Sequence, residues 1–145
     1  ETPWGDITYL EYKKKIEFGE EEYKQIDEYC KTKNTIWYAS PWDIPSVDFL
    51  EQFNVPCYKI ASAKLTDREL LEKVSKLDKP IFLALGMSTA EEIDKAIKVL
   101  NNNDLVLMHC NSSYPAPDNE LNLIASISHK LAISISFFAF SIEPL

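Results

Sequence analysis

The residue with the clearest chemical potential is Lys59, which lies inside an otherwise apolar run at residues 58–62. Burying an ammonium group without a partner is costly, so a lysine in a buried strand usually meets an anion. One reading is a cation that holds the phosphate or carboxylate of a substrate. The other is an ion pair with a neighbouring Asp or Glu, or an edge lysine whose ammonium reaches solvent. The residue types alone leave these two readings about even.

Small hydroxyl donors stand where the apolar runs end. Ser40, Ser62 and Ser112 could each bond a phosphate oxygen, although each is equally an ordinary turn or cap residue. Tyr114 lies in a proline-containing loop, where a fixed phenol could line a pocket or simply pack. Taken one at a time, the ordinary structural role is favoured for each of them.

His109 and Cys110 are adjacent at the end of an apolar run. Neighbouring residues of a strand point to opposite faces, so this pair does not readily form one site. The other histidine, His129, has no clear ligand partner in the sequence. We therefore predict a structural role for His109. We also predict that the three cysteines pack as small buried hydrophobes, at Cys30, Cys57 and Cys110.

The elements that must position these residues alternate between strand and helix. Four short apolar runs begin roughly 23 residues apart, as in a buried parallel sheet, at residues 36–39, 58–61, 81–85 and 105–108. Apolar residues at helical spacing predict helices around residues 23–30, 47–53, 70–77 and 93–100. Two of these helices have capping-box spacing at their starts, at Thr66/Glu69 and Ser88/Glu91. The pattern predicts a parallel α/β fold, whose sites form at the strand ends, and leaves open a closed barrel or an open sheet.

The composition excludes several classes of protein. Of the 145 residues, 46% are hydrophobic and 26% are charged, so a packed domain is expected. The net charge of −8 argues against a broad nucleic-acid face, while one or two local cations could still hold a small anion. No run approaches the roughly 20 apolar residues of a membrane span. Three cysteines without a C-x-x-C pair suit a reducing compartment, so we expect a cytoplasmic protein.

Several phrases of the sequence together resemble the sialic acid synthase family, which includes N-acetylneuraminate, pseudaminic and legionaminic acid synthases. Each phrase alone is weak, but the set runs in family order over about residues 1 to 123 and is specific. The phrases are Thr2-Pro3-Trp4-Gly5, Tyr9-Leu10-Glu11-Tyr12-Lys13, Ala39-Ser40-Pro41-Trp42-Asp43, Ser46-Val47-Asp48-Phe49-Leu50, Tyr58-Lys59-Ile60-Ala61-Ser62, Gly86-Met87-Ser88-Thr89 with Glu91-Glu92-Ile93, and His109-Cys110 with Ser113-Tyr114-Pro115.

The resemblance implies a partial (β/α)₈ barrel of the TIM type, whose parallel sheet covers about strands three to seven. It implies that phosphoenolpyruvate condenses with an N-acyl amino sugar such as N-acetylmannosamine and releases phosphate. A divalent metal, Mn²⁺ or Mg²⁺, would activate the sugar aldehyde. Lys59 and Ser62 then match phosphoenolpyruvate contacts, and Ser40 matches a position near the phosphate. Ser112 and Tyr114 match a loop facing both substrates, so the expected catalytic residues are Lys59 and Tyr114.

The chain departs from the family pattern in two places. The family usually has Ser-Thr-Gly-Met after the fifth strand, whereas this chain has Ala84-Leu85-Gly86-Met87, so one hydroxyl near the phosphate is lost. The family's metal ligands are two histidines. Phe138 occupies the position of the first, two residues after Ser136, an expected substrate contact, and the second would lie beyond Leu145. We therefore expect no metal ligand in this chain.

Residues 1–145 are accordingly expected to be an incomplete synthase barrel domain. It would lack the first two strands, the last strand and the family's C-terminal antifreeze-like domain. We expect no synthase activity from the chain alone, and a homodimer for the full-length parent. Two alternatives remain, namely a non-catalytic remnant that folds poorly and another phosphoenolpyruvate or aldolase-type barrel.

Overall fold

The computed structural model describes residues 3–101, 104–111, 113 and 117–120. They fall into two compact units, one up to Trp37 and the other from Tyr38 onward. None of the helices in these ranges is long and apolar enough to cross a membrane. The first unit holds helices α1 (Tyr9–Ile16) and α2 (Glu20–Thr32). The second holds α3 (Ile44–Glu51), β1 (Tyr58–Ile60), a 3-10 helix (Ser62–Lys64), α4 (Arg68–Ser75), β2 (Ile81–Ala84), α5 (Ala90–Leu100), β3 (Leu105–Met108) and a second 3-10 helix (Asp118–Glu120).

In the first unit, an aromatic cluster packs along helix α2. The Tyr23 ring is buried, and its centroid lies 5.8 Å from that of Trp37 and 6.5 Å from that of Phe18. Trp37 Nε1 donates a 2.9 Å hydrogen bond to the Asp27 carboxylate on the same helix. These contacts hold the segment after α2 against the helix. The range of α2 confirms the helix predicted around residues 23–30.

The second unit is built on a parallel three-stranded sheet in the order β1-β2-β3. In the register of the sheet, Tyr58 pairs with Ile81 and Ile81 pairs with Leu105. One face of the sheet is buried along its length, at Tyr58, Ile60, Ile81, Leu83, Leu105 and Leu107. Helix α4 packs against both α3 and α5. The parallel α/β class predicted from the apolar runs is confirmed.

Helices α4 and α5 both begin one residue later than the capping pattern predicts. Asp67 caps α4 in place of Thr66, because its carboxylate accepts the Leu70 N–H at 3.2 Å. Thr89 caps α5 in place of Ser88, because its hydroxyl and backbone N–H both bond the glutamate three residues later. The apolar stripes are buried as predicted, at Leu70, Leu71, Val74, Ile93, Ala96 and Leu100.

The first predicted strand, at residues 36–39, is wrong. This segment has no regular secondary structure, and no described residue pairs with it in a ladder. Ile36 is 75% exposed and Tyr38 is 45% exposed, although the Tyr38 ring stacks on Phe82 with centroids 5.8 Å apart. An apolar run becomes a strand only where a neighbour supplies backbone hydrogen bonds. The described part of the chain therefore contains three strands of the five expected.

Glu51 joins helix α3 to the base of the sheet. Its carboxylate accepts a 2.7 Å hydrogen bond from the Tyr58 hydroxyl and lies 2.6 Å from Lys79 Nζ. Burial alone would raise the pKa of Glu51, but the Lys79 ammonium and the Tyr58 hydroxyl outweigh it and hold the pKa below its ordinary value of 4.5. A carboxyl whose pKa is lowered by folding stabilises the folded state above that ordinary value. The contribution is lost as pH falls through the folded pKa.

Replacing Glu51 with glutamine should therefore destabilise the second unit in a pH-dependent way. We expect a loss of about 1 kcal/mol at pH 7, since a charge-assisted contact is weakened by partial exposure to solvent. The difference from the parent chain should shrink as pH falls below 4.5, where the parent carboxyl also becomes neutral. Urea unfolding at pH 7 and pH 3 measures both values. Glu28→Gln, at an exposed position of α2, is the matched control, and an equal pH-independent loss in both variants would contradict the assignment.

Candidate functional site

The candidate site lies where the three parallel strands end, at a common edge of the sheet. Ser62 follows β1, Gly86 follows β2 and Cys110 follows β3. A Cβ atom built on Gly86 would lie 3.1 Å from Ser62 Oγ, 3.2 Å from the Cys110 backbone oxygen and 3.3 Å from Cys110 Cβ. The ends of β1 and β3 therefore meet at the end of β2, with Gly86 between them. This is the edge at which parallel α/β folds place their ligands.

Lys59 lies in β1 on the face opposite the fully buried one. It pairs in register with Phe82, which pairs with Val106, so its neighbours across the sheet on this face are apolar. Lys59 is half-buried, and among the described residues no carboxylate forms an ion pair with it. Lys79, at the base of the same sheet, shows the contrasting case of a lysine paired with Glu51. Of the two readings open from the sequence, the paired structural lysine therefore fits Lys79 and not Lys59.

Cys110 lies at this edge, where the charge of Lys59 acts on its thiol. Burial raises the pKa of the Cys110 thiol, while the Lys59 ammonium and the backbone N–H groups of Leu85 and Gly86 act in the opposite direction. The thiol also lies 3.5 Å from the Met108 backbone oxygen, to which it donates. The net rise in pKa keeps the thiol neutral at pH 7.

The chain after β3 is held by a small polar network. The Ser113 backbone N–H donates to Asn111 Oδ1 at 2.7 Å, and Asn111 Nδ2 donates to Glu120 Oε2 at 2.8 Å. The Ser113 hydroxyl donates to the same Glu120 oxygen at 3.1 Å. Glu120 thereby fixes two residues that follow the strand end. Two of the predicted site residues, Ser112 and Tyr114, are interleaved with this network in sequence but lie outside the described residues.

The structure brings only some of the predicted site residues to the candidate site. Ser62 lies at the strand ends beside Gly86, whereas Lys59 lies within β1, and its charge acts on the Cys110 thiol. Ser40 is half-buried in the segment before α3, and among the described residues it makes no hydrogen bond. Ser136 and Phe138 lie outside the described residues, as do Ser112 and Tyr114.

Two residues of this edge were not singled out from the sequence. The sequence predicts Cys110 as a small buried hydrophobe and argues against a shared site with His109, whereas the structure shows it half-buried at the end of β3. Gly86 was noted only as part of a phrase. The available signal was a glycine directly after an apolar strand, which often marks a close approach of another backbone. Ala84 is buried in β2, two residues beyond Phe82 on the face of Lys59, and so carries a methyl where the related pattern has a hydroxyl.

A metal does not fit the described residues. Within residues 3–101, 104–111, 113 and 117–120, no three His, Cys, Asp or Glu side chains lie close enough together to hold an ion. A divalent site needs at least this many protein donors when it is built from the protein alone.

Comparisons with known proteins identify what the chain is similar to. The family model described as NeuB family matches residues 1–137. The chain is 46% identical over 120 residues to an uncharacterised protein of Methanocaldococcus jannaschii, covering 81% of this chain and 36% of that protein. It is 34% identical over 139 residues to N,N'-diacetyllegionaminic acid synthase of Campylobacter jejuni, covering 92% of this chain and 42% of the synthase.

A solved structure of a synthetase is also similar to this chain. The N-acetylneuraminic acid synthetase of Leptospira borgpetersenii, in complex with citrate, superposes with a TM-score of 0.73 at 30% identity. The match covers 81% of this chain and 44% of that one. The chain thus spans less than half the length of these relatives.

Proposed function

Because the chain belongs to the NeuB family, whose members include sialic, pseudaminic and legionaminic acid synthases, we propose that its strand ends form the phosphoenolpyruvate site of such a synthase. The observation that carries the proposal is Lys59. It is a half-buried cation within β1, with apolar neighbours across the sheet, and it is unpaired with any described carboxylate. An anionic ligand supplies the charge that the described part of the chain does not.

Lys59 acts in this proposal as the principal anion contact. The protein has a net charge of −8, so phosphoenolpyruvate gains nothing from the overall field and depends on local groups. A hydrogen bond between an ammonium and a phosphate or carboxylate oxygen contributes about 1.5–3 kcal/mol. Ser62, at the end of the same strand, adds a neutral donor. Its hydroxyl oxygen lies 3.1 Å from the position that a Cβ atom on Gly86 would occupy, beside the end of β2.

The proposed reaction joins phosphoenolpyruvate to an N-acyl amino sugar such as N-acetylmannosamine. A carbon–carbon bond forms between the enol carbon and the sugar aldehyde carbon. Water adds to the carbon that carried the phosphate, the carbon–oxygen bond to phosphate breaks, and inorganic phosphate leaves. Lys59 and Ser62 hold the donor through these steps, Ser40 lies on the phosphate side, and Tyr114 acts with Lys59 as a catalytic residue. Contacts from Ser112 and Ser136 complete the proposed set, and all of these roles rest on the family relationship.

The substrate class is tested by binding selectivity. Isothermal titration of the 145-residue chain should show that phosphoenolpyruvate binds without any sugar present. Pyruvate lacks the phosphate and inorganic phosphate lacks the carboxylate, so each should bind at least roughly 10-fold more weakly. Sulfate serves as the control for a general anion site. Equal affinities for phosphoenolpyruvate, phosphate and sulfate would contradict a donor site, and so would an absence of phosphoenolpyruvate binding by the folded chain.

A further inference from the structure

Gly86 stands where the ends of β1 and β3 come close together. Ser62 after β1 and Cys110 after β3 both lie within 3.1–3.3 Å of the position that a Cβ atom on Gly86 would occupy. The Leu85 N–H donates to the Met108 backbone oxygen at 3.0 Å, which continues the ladder one residue beyond β2. The end of β3 is therefore fixed firmly against the end of β2.

A side chain at Gly86 would disturb this junction by crowding and not by backbone strain. Gly86 does not have a positive φ, so alanine can adopt its backbone conformation. A Cβ there would stand 3.1–3.3 Å from three atoms, closer than nine in ten such contacts. The Cys110 backbone oxygen cannot rotate away, whereas the Ser62 hydroxyl can. Most of the adjustment therefore falls on Ser62.

We propose that Gly86 is a positioning residue for the donor site, because its bare α-carbon lets the ends of β1 and β3 close and holds the Ser62 hydroxyl beside the anion bound at Lys59. The proposal deepens the proposed function and rests on it for the identity of the anion. Gly86 itself touches no substrate. Its effect reaches the ligand through the hydroxyl of Ser62.

A double-mutant cycle on phosphoenolpyruvate affinity tests this role. By isothermal titration, Gly86→Ala and Ser62→Ala should each weaken binding by roughly 10-fold. The double variant should be at most about twofold weaker than Gly86→Ala alone, because the hydroxyl is already displaced. Losses that multiply to roughly 100-fold would show independent effects and overturn the proposal. A purely structural role for Gly86 predicts that multiplied loss.

Two controls keep the test decisive. Gly19→Ala makes the same chemical change in the other unit, where the new Cβ would meet only the carboxylate end of the Glu22 side chain at 3.2 Å, and it should leave the affinity unchanged. If Gly86→Ala fails to fold, Ser62→Thr adds one methyl group to the same junction and keeps the hydroxyl. It should still weaken binding several-fold, and an unchanged affinity would overturn the proposal.

A ligand-free measurement separates this proposal from the proposed function. In two-dimensional NMR spectra without ligand, Gly86→Ala should shift the amide signals of both Ser62 and Cys110, and Gly19→Ala should shift neither. If the parent chain binds no phosphoenolpyruvate, the proposed function fails, and the closure at Gly86 is judged by these signals alone. Unmoved signals at Ser62 and Cys110 would overturn it, whatever the binding result.

Discussion

Replacing Lys59 with alanine is expected to weaken the binding of phosphoenolpyruvate by roughly 10- to 100-fold, as measured by isothermal titration. The variant loses the one charge that faces the proposed phosphate or carboxylate position. Because Lys59 pairs with no described carboxylate, its removal leaves no buried anion behind in the described part of the chain. The thermal stability of the folded chain should therefore change little, which separates a ligand contact from a structural ion pair.

Two further variants sharpen this result. Lys95→Ala removes the same charge from α5, where Lys95 is 69% exposed and pairs with Glu91, so it should leave the affinity unchanged. Lys59→Arg keeps the charge but changes its shape, so it should retain part of the affinity. An affinity in Lys59→Ala equal to that of Lys95→Ala would remove Lys59 from the site. A large loss of stability in Lys59→Ala would instead favour a structural role.

Replacing Leu83 with alanine is expected to destabilise the second unit by about 2–5 kcal/mol. Leu83 is fully buried in β2, the central strand, so truncation removes apolar contacts on both sides and leaves a cavity. Total stability of a small domain is only about 5–15 kcal/mol, so this is a large fraction of it. The measurement is the urea midpoint followed by circular dichroism, with the slope unchanged. Val106→Ala, on the half-buried opposite face, should cost about 1 kcal/mol or less, and equal losses at both positions would contradict the assigned core face.

The sheet could be predicted because each of its runs is almost entirely apolar, with one face fully buried and the other partly buried. Residues 58–61, 81–85 and 105–108 each contain the strand that the structure shows. The run at 36–39 looks the same in sequence but forms no ladder with the described residues, and Ile36 is largely exposed. Hydrophobicity records the tendency to be buried, whereas a strand also needs a neighbour that supplies hydrogen bonds. The apolar run itself does not indicate whether such a neighbour is present.

The helix starts show a similar limit at a finer scale. Thr66 and Asp67 are adjacent candidates for the cap of α4, as Ser88 and Thr89 are for α5, and local sequence does not choose between them. At α4 the residue that caps the helix, Asp67, also pairs with Lys64 of the preceding 3-10 helix at 3.0 Å. The capping pattern alone does not include this contact.

The candidate site was predicted in part. Lys59 stood out because an ammonium in an apolar strand requires an explanation, and Ser62 because it closes the same strand. Gly86 and Cys110 did not stand out, because their importance depends on how the ends of three strands line up across the sheet. Register is set by pairing between strands that are distant in sequence. A single sequence does not indicate which residues pair across the sheet.

The most direct test of the central claim is a crystal structure of the chain with phosphoenolpyruvate. The ligand is expected at the strand ends of β1 and β2. A phosphate or carboxylate oxygen should lie within about 3 Å of Lys59 Nζ and another within the same reach of Ser62 Oγ. Density for the ligand at any other part of the described chain, with Lys59 free of it, would contradict the account. So would an empty edge in crystals that leave it open to solvent at a saturating ligand concentration.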